Sequence, residues 1–424
     1  MAKVGRLRTG LSQRLGFYPS DLKRRWGQGR WPWLHAVSVG EAMAARSLLE
    51  PLRDTEFGER FMISTVTATG QEMVRKMSVP EDLCFYLPLD YSFMMNRIVR
   101  WARPTFLAVL ETEIWPNLVR SVSRSGSPTL LVNGRISDKS FDNYVRLRSF
   151  FRDVLSCFAC FGMQTQDDAD RIVAMGADRD KVRVTGNVKF DSSLGGIPTA
   201  DKIEAFRQEL RLDGDRKVLV AGSTHPGEEE VLTHAALSLL HEMPHLVMIV
   251  TPRHLDRAEE VAELGRNAGL RTCRRSEGVE RDAQWIVLDT MGELFIAYGT
   301  ASVVFMGKSL FKRRSGGQNP IEPAALGKPI LMGPFVSNFR SVVFQLQQGG
   351  GLVSLEEEGK DFVDKTKKLL LDPERCSQIG RKAKAVVENN AGAAHRTVSL
   401  ICEKVLKEGT YKREGEGSET ESPR

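Results

Sequence analysis

Residues 35–52, HAVSVGEAMAARSLLEPL, run from an apolar segment ending at Val39 into a stretch of good helix formers from Ala42 to Leu52. Gly40 and Glu41 sit at the turn between the two. A buried strand that passes straight into a helix belongs to an open α/β sheet, and such sheets bind ligands at the carboxyl ends of their strands. A carboxylate at that turn has two readings. It is a base facing a ligand, or it is a first-turn acid that suits the helix dipole. On this stretch alone the second is favoured, because acids are enriched in first turns.

The same alternation continues outward. In the first half, WLHAVSV, RFMISTV, LCFYLPL, TFLAVLE, TLLVNGR, CFACFGMQT and VRVTGNV read as strands with helical stretches between them. In the second half the strands are KVLVAGS, LVMIVTP, WIVLDT, SVVFMGKS and PILMGP. Continuous apolar runs spaced by helices indicate parallel sheets covered on both faces. Between the halves, residues 190–217 carry Ser, Gly and Pro, then a helical and a turn-like segment, the composition of a linker. The expected fold class is α/β, with two doubly wound, Rossmann-like parallel-sheet domains of similar size facing a cleft. The expected boundaries are 1–192 for an N-terminal domain, 193–216 for the linker, 217–407 for a C-terminal domain and 408–424 for a disordered tail. Neither half carries GxGxxG or GxxxxGK[ST], which argues against a nicotinamide enzyme and a P-loop nucleotidase.

A chain of 424 residues with 41% hydrophobic and 27% charged residues has apolar material for more than one core. Its six cysteines form no disulfide framework, and the lone CxxC at Cys157 and Cys160 lies inside an apolar run, so buried thiols are expected rather than a metal site. The net charge of +6 is concentrated at the start. Residues 1–30 hold eight Lys/Arg against one acid, Asp21, interleaved with Leu7, Leu11, Leu15, Phe17, Tyr18 and Trp26 and followed by Trp31 and Trp33. That mixture suits an anionic membrane surface. No helix-turn-helix, zinc-finger or RNP pattern supports nucleic acid as a partner. No apolar run approaches the roughly 20 residues of a membrane span.

Chemistry-bearing residues collect at strand ends. In the second half, Gly222, Ser223 and Thr224 suit backbone approach to an anion at a helix start, and Pro252 and Arg253 end a strand where an arginine can meet a phosphate or a base. Met291, Gly292 and Glu293 open a helix after WIVLDT. In SGGQNPIEPAALG, Asn319 suits an N-cap, Pro320 the first helical position and Glu322 the first turn, where it can accept hydrogen bonds from a ribose. In the first half, Glu111 and Glu113 end a buried strand, and acids placed there cost desolvation unless paired or used. Asn133 and Arg135 end the next strand, and Asn187 and Lys189 follow the last. From spacing alone these residues suggest glycosyl transfer.

Taken together, HAVSVGEAMAA, YLPLDY, VLETEIWPNLV, NGRISDKSFDNY, TGNVKFD, AGSTHPGEE, TPRH, DTMGELFIAY, VVFMGKSL, GGQNPIEPAALGKPILMGP and SNF resemble the 3-deoxy-D-manno-octulosonic acid (Kdo) transferases, in order from about residue 14 to about 395. The resemblance implies a GT-B glycosyltransferase that moves Kdo from CMP-Kdo to a hydroxyl of the lipid A precursor by an inverting displacement, with no cofactor and no metal, at the cytoplasmic face of the bacterial inner membrane. It makes Glu41 the general base, its carboxylate pointing out of the sheet, and makes Glu111 and Lys189 stabilisers of the transition state. It assigns CMP to Pro252, Arg253, Met291, Gly292, Glu293, Asn319, Pro320, Ile321 and Glu322. The chain departs from the family at Gln318, where histidine is common, and in a longer loop carrying Lys312, Arg313 and Arg314, cations suited to a phosphate of CMP or of the lipid. Members often begin with an apolar anchoring segment, so the expected protein is peripheral, held by residues 1–33, or anchored by a segment outside this chain. Two other readings remain open: a GT-B enzyme using a different nucleotide sugar, and a non-catalytic lipid A-binding protein with a decayed site.

Overall fold

Trp31–His35 is buried along its whole length, as a strand covered by helices on both faces must be. In the computed structural model, which describes residues 10–214, 216–313 and 316–406, this strand (β1) lies inside a seven-stranded sheet. The others are β2 (Met62–Thr65), β3 (Leu83–Tyr86), β4 (Pro104–Leu110), β5 (Thr129–Gly134), β6 (Cys160–Met163) and β7 (Val182–Val184). All pair in parallel, in the order β3-β2-β1-β4-β5-β6-β7. Alternation along β1 splits the core in two: Trp33 packs with Phe85, Leu107 and Val109, while Leu34 packs with Ile63, Phe106 and Ala108.

A second parallel sheet contains β8 (Val218–Thr224), β9 (Val247–Pro252), β10 (Thr272–Arg274), β11 (Trp285–Val287), β12 (Val303–Met306), β13 (Ile330–Met332) and β14 (Leu352–Ser354), in the order β10-β11-β9-β8-β12-β13-β14. Every stretch read as a strand in the sequence forms one. Only β10 and β14 escaped that reading. Both are three residues long and stand at sheet edges, partly exposed, so neither carries an apolar run.

The chain divides into two compact units, one of described residues up to Ser192 together with those from Gly392 onward, the other from Ser193 to Ala391. Two expectations about the segments between and after the sheets are corrected. Residues 193–216 are not a free linker. Their helix Ala200–Glu209 packs on the helix Leu294–Thr300, burying Phe206 and setting Ile203 against Gly299, and Arg207 donates to the Leu212 carbonyl (3.0 Å). The helix Ala393–Leu406 does not belong with the second sheet. It buries Ala393, Val398, Ile401 and Val405 among Leu48, Leu52 and Phe106 of the first. Asp191 ties down its start, accepting from the N–H groups of Gly392 (2.6 Å) and Ala394 (3.0 Å). The expected tail, 408–424, lies outside the described residues.

Asp191 thus does the work of an N-cap for a helix two hundred residues away in sequence. Asp191→Ala is expected to lower stability by about 1 kcal/mol, the usual worth of a lost cap, seen as an earlier first transition in urea unfolding of the full chain.

Candidate active site

In each sheet the strand order reverses beside the first strand: β1 lies between β2 and β4, and β8 between β9 and β12. Connections that leave in opposite directions open a crevice at the carboxyl ends of those strands. The candidate residues follow strands of these sheets at their carboxyl ends, Glu41 at the first reversal and the others after neighbouring or outer strands.

After β1 the backbone is clamped by the turn after β2. The Val37 carbonyl accepts from the N–H (3.1 Å) and the hydroxyl (3.0 Å) of Thr67. Gly70 fits there because a Cβ would come within 2.8 Å of Thr67 Oγ1 and 3.1 Å of Val37 O. Ser38 caps the helix Val39–Arg53, its Oγ accepting from the Glu41 N–H at 3.4 Å. The Glu41 carboxylate turns back on this turn: Oε2 accepts from the Val37 N–H (2.7 Å) and Oε1 from the Ser38 hydroxyl (2.8 Å). The Glu41 side chain is thus tied back to the residue before the cap and to the cap's own hydroxyl, which leaves it only 6% exposed. The carboxylate expected to point out of the sheet instead turns back on the turn that carries it, in the first turn of the helix. Burial first, and then the charge of Glu111, push the Glu41 carboxyl up to about 7 against the opposing pull of the Ser38 and Val37 bonds. A carboxyl balanced near neutral pH is matched to taking a proton from a hydroxyl.

β4 ends at Leu110, and Glu111 takes a left-handed φ of 56° that turns the chain away from the sheet. Its Oε1 accepts from Lys189 Nζ at 2.5 Å, with each side chain one-fifth exposed. Lys189 opens the helix Lys189–Gly195. Asn187 Oδ1 accepts the Lys189 N–H (3.0 Å), and Asn133 Oδ1 accepts that of Val188 (3.2 Å). The two asparagines thus hold the backbone that carries the lysine. Glu113, raised by burial, accepts from the Trp115 indole (3.2 Å). Glu111, Glu113, Trp115, Arg135, Ser137 and Tyr144 line a pocket of about 480 Å³. A lone histidine ending an apolar strand drew no attention in the sequence, yet His35 belongs here. It is fully buried, with Nδ1 2.8 Å from Ser64 Oγ and its ring edge-on to Trp115 at 6.0 Å. Burial lowers it to about 4, so it is neutral.

In the second unit, Arg253 follows β9, exposed, its N–H donating to the Thr224 carbonyl (3.0 Å). Met291 is 83% exposed and Gly292 has φ 88°. Glu293 accepts from Arg275 at 3.2 Å through both oxygens and from the Thr290 hydroxyl, so its carboxylate is already engaged. The helix expected to begin at Pro320 begins at Ile321. Asn319 still serves its start, its Oδ1 accepting the Ile321 N–H (3.1 Å), and Glu322 is half-buried and raised by that burial. The expectation that the 222–224 turn offers an anion site at the next helix is corrected. The helix Glu228–Glu242 uses its own acids, with Glu228 on the His225 N–H (3.0 Å) and Glu230 on that of Gly227 (2.9 Å). Gly222 is required for packing, since a Cβ would lie 2.0 Å from the Tyr298 hydroxyl. Gln318 is half-buried, and Arg314 lies outside the described residues.

Residues 9–192 match the family model described as 3-deoxy-D-manno-octulosonic-acid transferase (kdotransferase). The 3-deoxy-D-manno-octulosonic acid transferase of Haemophilus influenzae is 30% identical over 406 residues, covering 94% of this chain and 92% of that protein. The chain belongs to the Kdo transferase family. The Bordetella pertussis transferase is also 30% identical, over 87% of this chain and 86% of its own length. A glycosyltransferase structure from Rickettsia africae shares the fold, with a TM-score of 0.61 at 14% identity over 89% of this chain and 99% of that one. The fold class is thus GT-B, and the chain is a glycosyltransferase that transfers Kdo.

Because folding holds the Glu41 proton more tightly than the unfolded chain does, Glu41 favours the fold below its unfolded value and loses that contribution as pH rises through about 7. Glu41→Gln removes the ionisation. Its melting temperature relative to wild type is expected to climb between pH 5 and pH 8, and a difference that stays constant with pH would contradict the burial argument.

Proposed function

We propose that the chain transfers Kdo from CMP-Kdo to a hydroxyl of the lipid A precursor, in lipopolysaccharide core biosynthesis, by one inverting displacement with Glu41 as general base. The observation that carries this reading is the buried Glu41 carboxyl, raised to about 7 at the strand-order reversal of the first sheet. In the proposed step the acceptor O–H gives its proton to Glu41, the acceptor oxygen bonds to C2 of Kdo, and the bond from C2 to the phosphate oxygen breaks with its electron pair leaving on CMP. Lys189, held 2.5 Å from Glu111, offsets developing negative charge in a partly desolvated site. On this proposal that charge, and not a metal ion or cofactor, stabilises the transition state.

The pocket beside Glu111 combines two carboxylates, an indole, a phenol and Ser137, groups suited to holding a sugar acceptor. CMP falls to Pro252, Arg253, Met291–Glu293 and Asn319–Glu322. The committed side chain of Glu293 suggests that the 291–293 turn contributes backbone rather than carboxylate.

The acceptor's membrane suits the surface near the start of the chain. Phe17 and Phe93, each 65% exposed, line a pocket of about 320 Å³ with Leu15, Arg97 and Trp101, and Tyr91 stacks on Phe93. Trp26, Trp31, Trp33 and Tyr18, read in the sequence as part of that surface, are core residues, and Arg25 is spent on the carbonyls of Pro80 and Glu81 (3.0 Å each). Lys3, Arg6, Leu7 and Arg8 lie outside the described residues. No helix among the described residues is long and apolar enough to cross a membrane. The proposed location is the cytoplasmic face of the bacterial inner membrane, peripheral or anchored.

Turnover of CMP-Kdo with a tetra-acylated, bisphosphorylated lipid A precursor tests the proposal, read as CMP release and as the mass of the lipid product, which also counts the Kdo units added. Wild-type kcat/KM is expected to rise with pH up to about 7 as Glu41 ionises. Glu41→Gln should lose about 10²–10⁴-fold while still binding CMP. Full activity in that variant would remove Glu41 from the role of base.

A further inference from the structure

The strand-order reversal of the second sheet lies between β8 and β12, and none of the residues assigned to CMP occupies it. His225 follows β8, Lys308 follows β12, and the two line one cavity of about 770 Å³ with His254, Arg257, Phe311 and Arg313. Glu228 builds it. Its buried carboxylate accepts from the His225 N–H and from those of Lys308 (2.7 Å), Ser309 (2.8 Å) and Leu310 (3.2 Å), stapling the two strand ends together. All four donors are backbone N–H groups, and among the described residues Glu228 forms no ion pair with a side-chain cation of the cavity.

Arg257 is neutralised by Glu229 (2.9 Å) and Glu260 (2.8 Å). Among the described residues, Lys308 and the exposed Arg313 have no ion-pair partner. Lys308 is half-buried and takes φ 61°, a left-handed conformation that an L residue other than glycine adopts at a cost. His225 faces the Ser223 carbonyl through Nδ1 at 3.1 Å. A carbonyl only accepts, so Nδ1 carries the hydrogen. Burial and the charges of Lys308, His254 and Arg253 hold the ring below its ordinary value, which leaves Nε2 a free lone pair. Phe311 packs on Gly227 and supplies an apolar wall.

One fixed cation, one neutral acceptor and one aromatic wall match a polyhydroxy sugar bearing a carboxylate. We propose that this cavity takes the sugar of the donor, with Lys308 pairing with its carboxylate and His225 Nε2 accepting from one of its hydroxyls. The inference rests on CMP-Kdo as donor and makes Lys308 the residue that separates an acidic sugar from a neutral one.

The test compares KM for CMP-Kdo with the competitive Ki of CMP, which has no sugar carboxylate, in the full chain. Lys308→Gly suits the left-handed backbone and so spares the fold. It is expected to raise KM about 10–100-fold, the range of a lost charge-assisted hydrogen bond, with Ki for CMP within about twofold of wild type. Lys308→Arg should recover most of the loss. Equal rises in KM and Ki would place the lysine on the phosphate and overturn the inference, as would an unchanged KM. Wild type that fails to use CMP-Kdo at all would instead remove the donor reading, and the inference with it.

Discussion

Two parallel sheets whose strand order reverses beside β1 and beside β8 oblige the chain to leave strand ends uncovered at one edge. Backbone N–H groups exposed there need partners. Each unit meets that need with a glutamate in the first turn of the following helix, Glu41 in one and Glu228 in the other. The two are used differently. Glu228 takes four backbone donors, which fills the roughly four acceptor sites of a carboxylate. Glu41 takes one N–H and one hydroxyl, so it retains capacity for a further proton. The same structural device thus yields a saturated staple in one sheet and a carboxyl with acceptor capacity to spare in the other.

The charge around Glu41 follows from what shares its edge. Glu111 and Glu113 stand at the end of β4, and Glu111 pairs with a cation, Lys189. Carboxyls gathered in a partly buried site raise one another's proton affinity. The burden falls on the most buried of them, Glu41, whose proton affinity rises to about 7. Glu113 rises too but keeps an indole donor.

The supports of this edge come from far along the chain. Lys189 stands two residues before Asp191, which caps the helix Ala393–Leu406, and that helix fills the core face opposite Trp33. The position of the lysine is therefore coupled to the packing of the last described helix as well as to Asn133 and Asn187.

The sequence by itself determined the alternation of strands and helices, the parallel sheets, the family and the strand ends where polar residues collect. Each of these is written in local order: apolar runs, turn residues and the short motifs between them. It did not determine the edge strands β10 and β14, too short and too exposed for a pattern, nor the membership of residues 193–216 and 392–406, which depends on which core their apolar faces enter. It offered two readings of Glu41, and only the tertiary structure shows its raised proton affinity, because desolvation and the Glu111 charge arise only once the ends of β1 and β4 lie side by side. His35 and Lys308 were hidden for the same reason. A histidine ending an apolar strand and a lysine after another look ordinary until the fold buries one and sets the other in a cavity without a counter-ion among the described residues.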